Sequence, residues 1–186
     1  MSGAAMTGPP GFAPVADAEW PAEIADLRTG FAGRLNVYRA MAHHPALLRA
    51  WADLRDHVVN RTTLGPEQSE VVILRAGHRL DAAYEWAHHV VRGRAAGLTD
   101  ARIATLSGPL AGMTDGDALL AGAVDDLVGE AALSPDRLAA LVAAHGREGV
   151  LDLMATVGMY STLAFVVKSF GTPVDDGVAA APPLAR

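Results

Sequence analysis

The spacing of apolar residues constrains the fold of this chain more than any other feature. Apolar residues recur at three- and four-residue steps along most of the sequence, and runs that alternate apolar with polar residues are missing. Steps of three and four place side chains on one face of an α-helix, whereas a half-buried strand needs a period of two. The sequence therefore predicts an all-α fold.

Prolines, glycines and side-chain caps divide this pattern into separate helices. Thr99 and Ser134 are predicted N-caps, and Pro135 suits the first turn of the helix that follows. Gly97 and Gly171 are predicted to end helices in the left-handed conformation. We expect helices just after residue 20, through residues 35–44, and over about 45–60, 67–80, 82–96, 100–106, 116–129, 135–144 and 148–170.

The composition indicates one domain with short extensions. The 186 residues are 51% hydrophobic and 19% charged, which fits a single compact domain with a sizeable core. Residues 1–18 and 177–186 are rich in glycine, proline and alanine, so we expect a flexible N-terminal arm and a flexible tail there. The predicted domain spans residues 19–176.

Charge and cysteine content exclude several classes of function. The formal net charge of -6 and the scattered arginines offer no basic surface for nucleic acid. The chain has no cysteine, which excludes disulfides, thiolate metal sites and thiol catalysis. The N-terminus lacks the basic and apolar parts of a secretory signal, which favours a cytoplasmic protein.

The most apolar stretch runs from Gly149 to Val167. Polar residues such as Asp152 and Tyr160 interrupt it, so we interpret it as a buried core or interface helix rather than a membrane span. A helical protein of this length has limited room to hide so much apolar sequence. We therefore expect a homo-oligomer, in which the segment around Leu151 packs closely between subunits.

The segment YEWAHH, residues 84–89, concentrates reactive side chains in an otherwise apolar chain. Glu85 and His89 are four residues apart, so a helix places both on one face. This pair suits proton transfer, although an ordinary surface pair has the same spacing. His88 lies about one hundred degrees around the helix from His89, so the two are not expected to face one pocket equally. Tyr84 either lines the pocket or packs at a helix or subunit contact.

A longer stretch, SEVVILRAGHRLDAAYEWAHHVVRGRAAGLTDARIATL, resembles the core of the carboxymuconolactone decarboxylase family. LNVYRAMAHHPALLRA upstream and LDLMATVGMYSTLAFVVKSFGTPVD downstream extend the likeness to most of residues 19–176. The resemblance implies an alkyl hydroperoxidase D-like helical bundle and an assembly of three or six subunits. The peroxidase-supporting branch has a Glu, then eleven residues, Cys-x-x-Cys, and a His four positions later. Glu70 and His89 match its outer positions, but Ala82 and Glu85 replace the cysteines, so thiol peroxidase activity is not implied.

The decarboxylase branch also lacks the cysteines, and Glu85 and His89 resemble its Glu and His. The resemblance implies a cofactor-independent carboxy-lyase or isomerase that acts on a small carboxylated lactone or a β-keto or vinylogous acid. In that scheme His89 gives and takes the proton, and Glu70 and Glu85 orient it or share the proton. The remaining substrate-binding candidates are Tyr84, His88, Arg75 and Arg39, the two arginines as anion clamps.

Two other functions remain open. A non-catalytic ligand-binding or assembly protein on this scaffold would use Glu70, Glu85 and His89 only to satisfy one another. A metal-dependent peroxide-handling protein is the third reading, because Glu85 and His88 have the Glu-x-x-His spacing of di-iron bundles. Such bundles need a second copy of this motif, which the chain lacks. A mononuclear site of Glu70, Glu85 and His89 is the other metal alternative, and we predict no metal and no cofactor.

Overall fold

The computed structural model describes residues 11–178 and confirms the all-α fold, with no strand in that range. A π-helical turn, His57–Arg61, follows the second helix, and short 3₁₀ turns lie at Asp17–Glu19, Ala22–Leu27 and Leu110–Gly112. The α-helices are α1 Asn36–Met41, α2 Pro45–Asp56, α3 Pro66–Arg79, α4 Ala83–Ala95, α5 Asp100–Thr105, α6 Asp115–Glu130 and α7 Pro135–Phe170.

Helix α3 is the centre of the molecule and packs against α4, α6 and α7. Its residues 69–77 are all buried, since the run SEVVILRAG carries apolar side chains on every face. A helix that is apolar all round needs neighbours on all sides. Two charged residues, Glu70 and Arg75, lie within this buried run and must therefore find partners inside the protein.

A tight turn reverses the chain between α3 and α4. The Ala82 amide donates to the Gly77 carbonyl at 2.8 Å, and Asp81 adopts a positive φ of 49°. A Cβ on Gly77 would lie 3.5 Å from the Trp86 nitrogen, in van der Waals contact, so the two helices approach closely at this point. This arrangement places Glu70, near the start of α3, beside His89 on α4.

Helix α7 confirms the break that the sequence predicts near residue 146. Gly146 has a φ of 69°, which interrupts the helical backbone, and the Ser134 side chain accepts from the Arg137 amide as an N-cap. Gly171 ends the helix with a φ of 61°. The predicted cap at Thr99 is also present, because its side chain accepts from the Arg102 amide.

Within residues 11–178, α7 alone is long and apolar enough to cross a membrane, but 56% of its most apolar window is buried inside the domain. Its polar residues have partners there: Asp152 accepts from the Thr63 amide at 2.6 Å and from the His57 ring at 2.7 Å. Thr156 donates to the Asp152 carbonyl. These contacts agree with a core helix that packs on α3.

The predicted extensions lie partly outside the described residues, namely 1–10 of the arm and 179–186 of the tail. Residues 11–18 are described and contact the domain. Val15 is buried and its amide donates to the Arg39 carbonyl, while Phe12 stacks on Phe170 with ring centroids 4.1 Å apart. Contacts with the domain thus begin upstream of the predicted boundary at residue 19.

Candidate active site

A cavity of about 280 Å³ lies between α1, α2, α4, α7 and the segment that follows α7. Its size suits a small organic ligand, and most of its wall is apolar or aromatic with a few charged groups. It brings together four of the seven site residues that the sequence predicts and leaves three outside its wall. The lining residues are Leu35, Val37, Tyr38, Arg55, Val59, Tyr84, Glu85, His88, His89, Val91, Arg92, Tyr160, Leu163, Gly177 and Val178.

His89 connects this cavity to a buried ion pair behind it. Its Nδ1 lies 2.6 Å from Glu70 Oε2, and Arg92 Nε donates to Glu70 Oε1 at 3.2 Å. Burial raises the pKa of Glu70, but the charges and hydrogen bonds of His89 and Arg92 outweigh it, and the pKa lies below its ordinary value. Ionised Glu70 accepts from the Nδ1–H group of His89, which leaves Nε2 as the ring nitrogen nearest Glu85.

Glu85 is the most perturbed carboxyl of the site. It is 4% exposed, its Oε1 is buried without a hydrogen-bond partner, and its Oε2 lies 3.9 Å from His89 Nε2. Burial, and after it the charge of Asp175, raises the pKa of Glu85 to about 8. Glu85 therefore holds its proton at neutral pH, and His89 Nε2 lies just beyond hydrogen-bond distance of its carboxyl group.

Two buried tyrosines form part of the wall next to this pair. The Tyr160 ring meets the His89 ring edge to face, with centroids 4.9 Å apart, and fixes the plane of the imidazole. Burial raises the pKa of Tyr38 to about 12 and that of Tyr160 well above its ordinary value. Both phenols thus remain neutral at the pH at which Glu85 loses its proton.

Tyr84 and His88 line the cavity but are also tied to the chain after α7. The Tyr84 hydroxyl donates to Asp175 Oδ2, and His88 Nε2 lies 2.9 Å from the same oxygen. The Asn36 amide donates to Asp175 Oδ1 at 2.8 Å. Asp175 thereby fastens the C-terminal segment over the site, and the next residue but one, Gly177, contributes to the cavity wall.

The structure does not bring Arg75 or Arg39 to the cavity, which corrects the expectation that they clamp a substrate anion. The Arg75 guanidinium binds both carboxylate oxygens of Asp125, at 2.8 and 2.7 Å, and donates to two carbonyls of the chain between α5 and α6. Arg39 donates to the carbonyls of Gly33 and Val15 and pairs with Asp17. Both arginines hold other parts of the fold together.

The sequence reasoning missed Arg55, Arg92 and Asp175. Arg92 lies three residues after His89 and seven after Glu85, so helical spacing alone places it on the same face of α4. No local signal marks Arg55 or Asp175, which reach the site from α2 and from the chain after α7.

A metal site is not formed by the described part of the chain. Among residues 11–178, no three His, Asp or Glu side chains are arranged to hold an ion. His88 is turned so that Nδ1 lies 2.9 Å from the Tyr84 carbonyl oxygen and Nε2 faces Asp175. The expectation that the protein works without a metal or cofactor stays a prediction.

Comparison with known proteins finds one family whose sequence model matches part of the chain. Residues 45–124 match the sequence model of the carboxymuconolactone decarboxylase family, a range that includes Glu70, Glu85, His89 and Arg92. The fold is similar to the crystal structure of an uncharacterised peroxidase-related protein from Silicibacter sp. TM1040, with a TM-score of 0.73 and 14% identity over 94% of this chain and 97% of that one. No curated protein sequence matches significantly. The similarity to the carboxymuconolactone decarboxylase family thus covers residues 45–124 of the chain.

Proposed function

We propose that this protein is a cofactor-independent acid–base enzyme that decarboxylates a small carboxylated lactone or a β-keto or vinylogous acid, or isomerises such a compound. The observation that supports the proposal most is the buried Glu85 with its raised pKa, beside the Glu70–His89–Arg92 chain in a small cavity. Strongly perturbed titratable groups that meet in a cleft are typical of acid–base catalysis.

In the proposed reaction, the bond between the substrate carbon and its carboxylate breaks and CO₂ leaves. The electron pair passes into the conjugated carbonyl group and forms an enolate, which a proton then converts to product. Glu85 is protonated at neutral pH and sits at the cavity wall, so it is the proton donor in this scheme. Glu85 then regains a proton from solvent by way of His89: Nε2 takes up the proton, which forms the imidazolium, and passes it to Glu85, while ionised Glu70 holds the ring in position.

The same residues could catalyse the alternative reaction, an isomerisation. His89 Nε2 would take a proton from a carbon next to the carbonyl, and Glu85 would return one to another carbon. Arg92 keeps Glu70 ionised through its hydrogen bond, which stabilises the imidazolium that forms on His89 during either reaction.

The test is turnover with a panel of substrates. CO₂ release and ultraviolet change would be followed with γ-carboxymuconolactone and related β-keto and vinylogous acids, for wild type, Glu85→Gln, His89→Gln and the exposed control Glu148→Gln. We expect both site variants to lose about a hundredfold or more in kcat, as is typical for a general acid or base, and the control to keep full activity.

Each outcome bears on a different part of the proposal. Full activity of Glu85→Gln would remove Glu85 from the mechanism. A new ultraviolet product without CO₂ would favour isomerisation. Absence of turnover by wild type on the whole panel, together with unchanged ligand binding by His89→Gln, would favour the non-catalytic binding protein instead.

A further inference from the structure

Arg34, Arg55 and Arg92 lie where the cavity of the candidate active site, called the active cavity below, adjoins a neighbouring hollow. The hollow has a volume of about 380 Å³ and is lined by Gly30, Phe31, Arg34, Leu35, Arg55 and Arg92. Arg55 and Arg92 line the active cavity as well, so the two spaces adjoin at these guanidinium groups. Positive charge is thus concentrated where the two spaces adjoin, in a cavity whose wall also contains Glu85 and His89.

Arg34 and Arg55 differ from Arg75 and Arg39 because no carboxylate of the described residues neutralises them. Within the described residues, neither Arg34 nor Arg55 forms an ion pair with an Asp or a Glu. The Arg55 guanidinium lies 4.8 Å from the centre of the Phe31 ring, and its buried Nε donates to no acceptor. A buried donor of this kind is costly unless a ligand supplies the acceptor.

Arg92 has part of its guanidinium bound and part accessible. Its Nε donates to Glu70, yet its side chain is 44% exposed. A planar guanidinium presents several donors in one fork, so a bond through Nε leaves the terminal nitrogens for another acceptor. Arg55 and Arg92 together match the two oxygens of a carboxylate better than they match a neutral group.

From this arrangement we propose that Arg55 and Arg92, with Arg34 at the outer rim, form a subsite for a carboxylate that the substrate keeps throughout the reaction. The assignment rests on the proposed function for the identity of the ligand. It also follows from the chemistry of decarboxylation: the carboxylate that leaves as CO₂ loses its charge in the transition state. Arginines bound to that group would stabilise the ground state more than the transition state and slow the reaction.

The departing carboxylate is therefore assigned to a place beside Glu85 and the apolar wall. The arginines hold the retained carboxylate, orient the substrate and set the distance between the anchored group and the reacting carbon. The preferred substrates then carry two acidic groups, one of which is anchored and one of which is lost.

The experiment measures binding of a probe that cannot react, so it is independent of turnover. Benzoate is titrated calorimetrically into wild type, and benzamide serves as its uncharged counterpart. We expect benzoate to bind more tightly than benzamide, to bind more weakly as salt is raised, and to lose about tenfold or more in affinity in Arg55→Gln. The control is Arg94→Gln, an exposed arginine on α4 that pairs with Asp100 away from the cavity.

Arg55→Lys and Arg34→Gln are additional variants that protect the test against a folding defect. The lysine keeps the charge but loses the fork, and we expect intermediate affinity; Arg34→Gln is expected to show the smallest loss. Equal binding of benzoate and benzamide, or unchanged benzoate affinity in folded Arg55→Gln, would overturn the subsite. Glu85→Gln separates the two proposals: benzoate binding that persists there without turnover supports both, whereas turnover that persists contradicts the proposed acid and leaves the subsite intact.

Discussion

Glu85 occupies an environment that opposes the ionised form of a carboxyl group. It is buried, its Oε1 has no hydrogen-bond partner, and Asp175 adds a second negative charge nearby. Selection for stability alone would favour an apolar residue or a paired carboxylate at such a position. The arrangement is instead what proton donation at neutral pH requires, since the same burial that destabilises the carboxylate keeps the acid form populated.

This burial predicts an unusual pH dependence of stability. The pKa of Glu85 is raised from 4.5 to about 8 in the folded protein, so between these values the folded state binds more protons than the unfolded state. The free energy of unfolding therefore falls as pH rises through this window. Glu85→Gln removes this titration. We expect the free energy of unfolding of the variant to rise relative to that of wild type between pH 5 and pH 9, by on the order of a few kcal/mol. Urea unfolding at several pH values measures this difference.

Two comparisons make this result specific to Glu85. Glu148→Gln changes an exposed glutamate on α7 and is expected to follow wild type at every pH. The pH dependence of stability that Glu70 contributes has the opposite sign. Its pKa is lowered in the folded protein, so its contribution to stability is lost only as pH falls into the acid range. Parallel curves for wild type and Glu85→Gln from pH 5 to pH 9 would contradict the raised pKa.

The sequence carries only part of this information at the residue scale. The four-residue spacing correctly places Glu85 and His89 on one face of α4, and helical spacing extends the face to Arg92. It does not tell which arginines are free, because that depends on partners far along the chain. Arg75 is bound by Asp125, fifty residues away, and no local pattern reveals such a pairing.

At the scale of elements, the segment after α7 is attached to the site mainly through Asp175. Its carboxylate receives hydrogen bonds from the Asn36 amide, the Tyr84 hydroxyl and the ring of His88. These donors belong to α1 and α4, so one side chain joins three parts of the chain around the cavity. The charge of Asp175 also contributes to the raised pKa of Glu85, which links closure of the site to its chemistry.

Asp175→Asn is expected to weaken both functions of this residue. An amide has one acceptor oxygen and directs its N–H groups at donors, so at least one present bond is lost, with a cost of about 1–3 kcal/mol. Hydrogen exchange should quicken at residues 172–178, and the pKa of Glu85 should fall because one nearby negative charge is removed. Exchange mass spectrometry and the pH dependence of stability measure these two effects.

The neighbouring residue provides the matched control. Asp176 is exposed, so Asp176→Asn removes the same charge one position along the chain and is expected to leave both readouts near wild type. Exchange that quickens equally in the two variants would show that this segment is held by something other than the Asp175 carboxylate.

Helix ends are the elements that the sequence predicts best. The caps at Thr99 and Ser134 and the break near residue 146 depend on residues next to each other, and the structure confirms them. The π-helical turn His57–Arg61 was predicted as ordinary helix. That turn packs against α7, and His57 contacts Asp152 95 positions away, so tertiary contacts accompany the local change.

At the scale of the whole molecule, two large apolar side chains of α7 are more than half exposed to solvent. Leu151 is 65% exposed and Phe165 is 61% exposed. Fourteen residues separate them, which returns a helix to nearly the same direction after about four turns. Both belong to the apolar helix for which the sequence predicts close packing between subunits, so we propose that this face is buried in a homo-oligomer.

Charge on this face should therefore dissociate the assembly. We expect wild type to have a mass in solution that is a multiple of the chain mass, and the double variant Leu151→Asp, Phe165→Asp to be monomeric with unchanged helix content, because an interface core excludes unpaired carboxylates. Ala101→Asp adds an acid at an exposed position of α5 and is expected to keep the wild-type mass. Light scattering coupled to size-exclusion chromatography measures the mass. A monomeric wild type would mean that the apolar face has another role, whereas a double variant that keeps the wild-type mass would place the subunit contacts on a different surface.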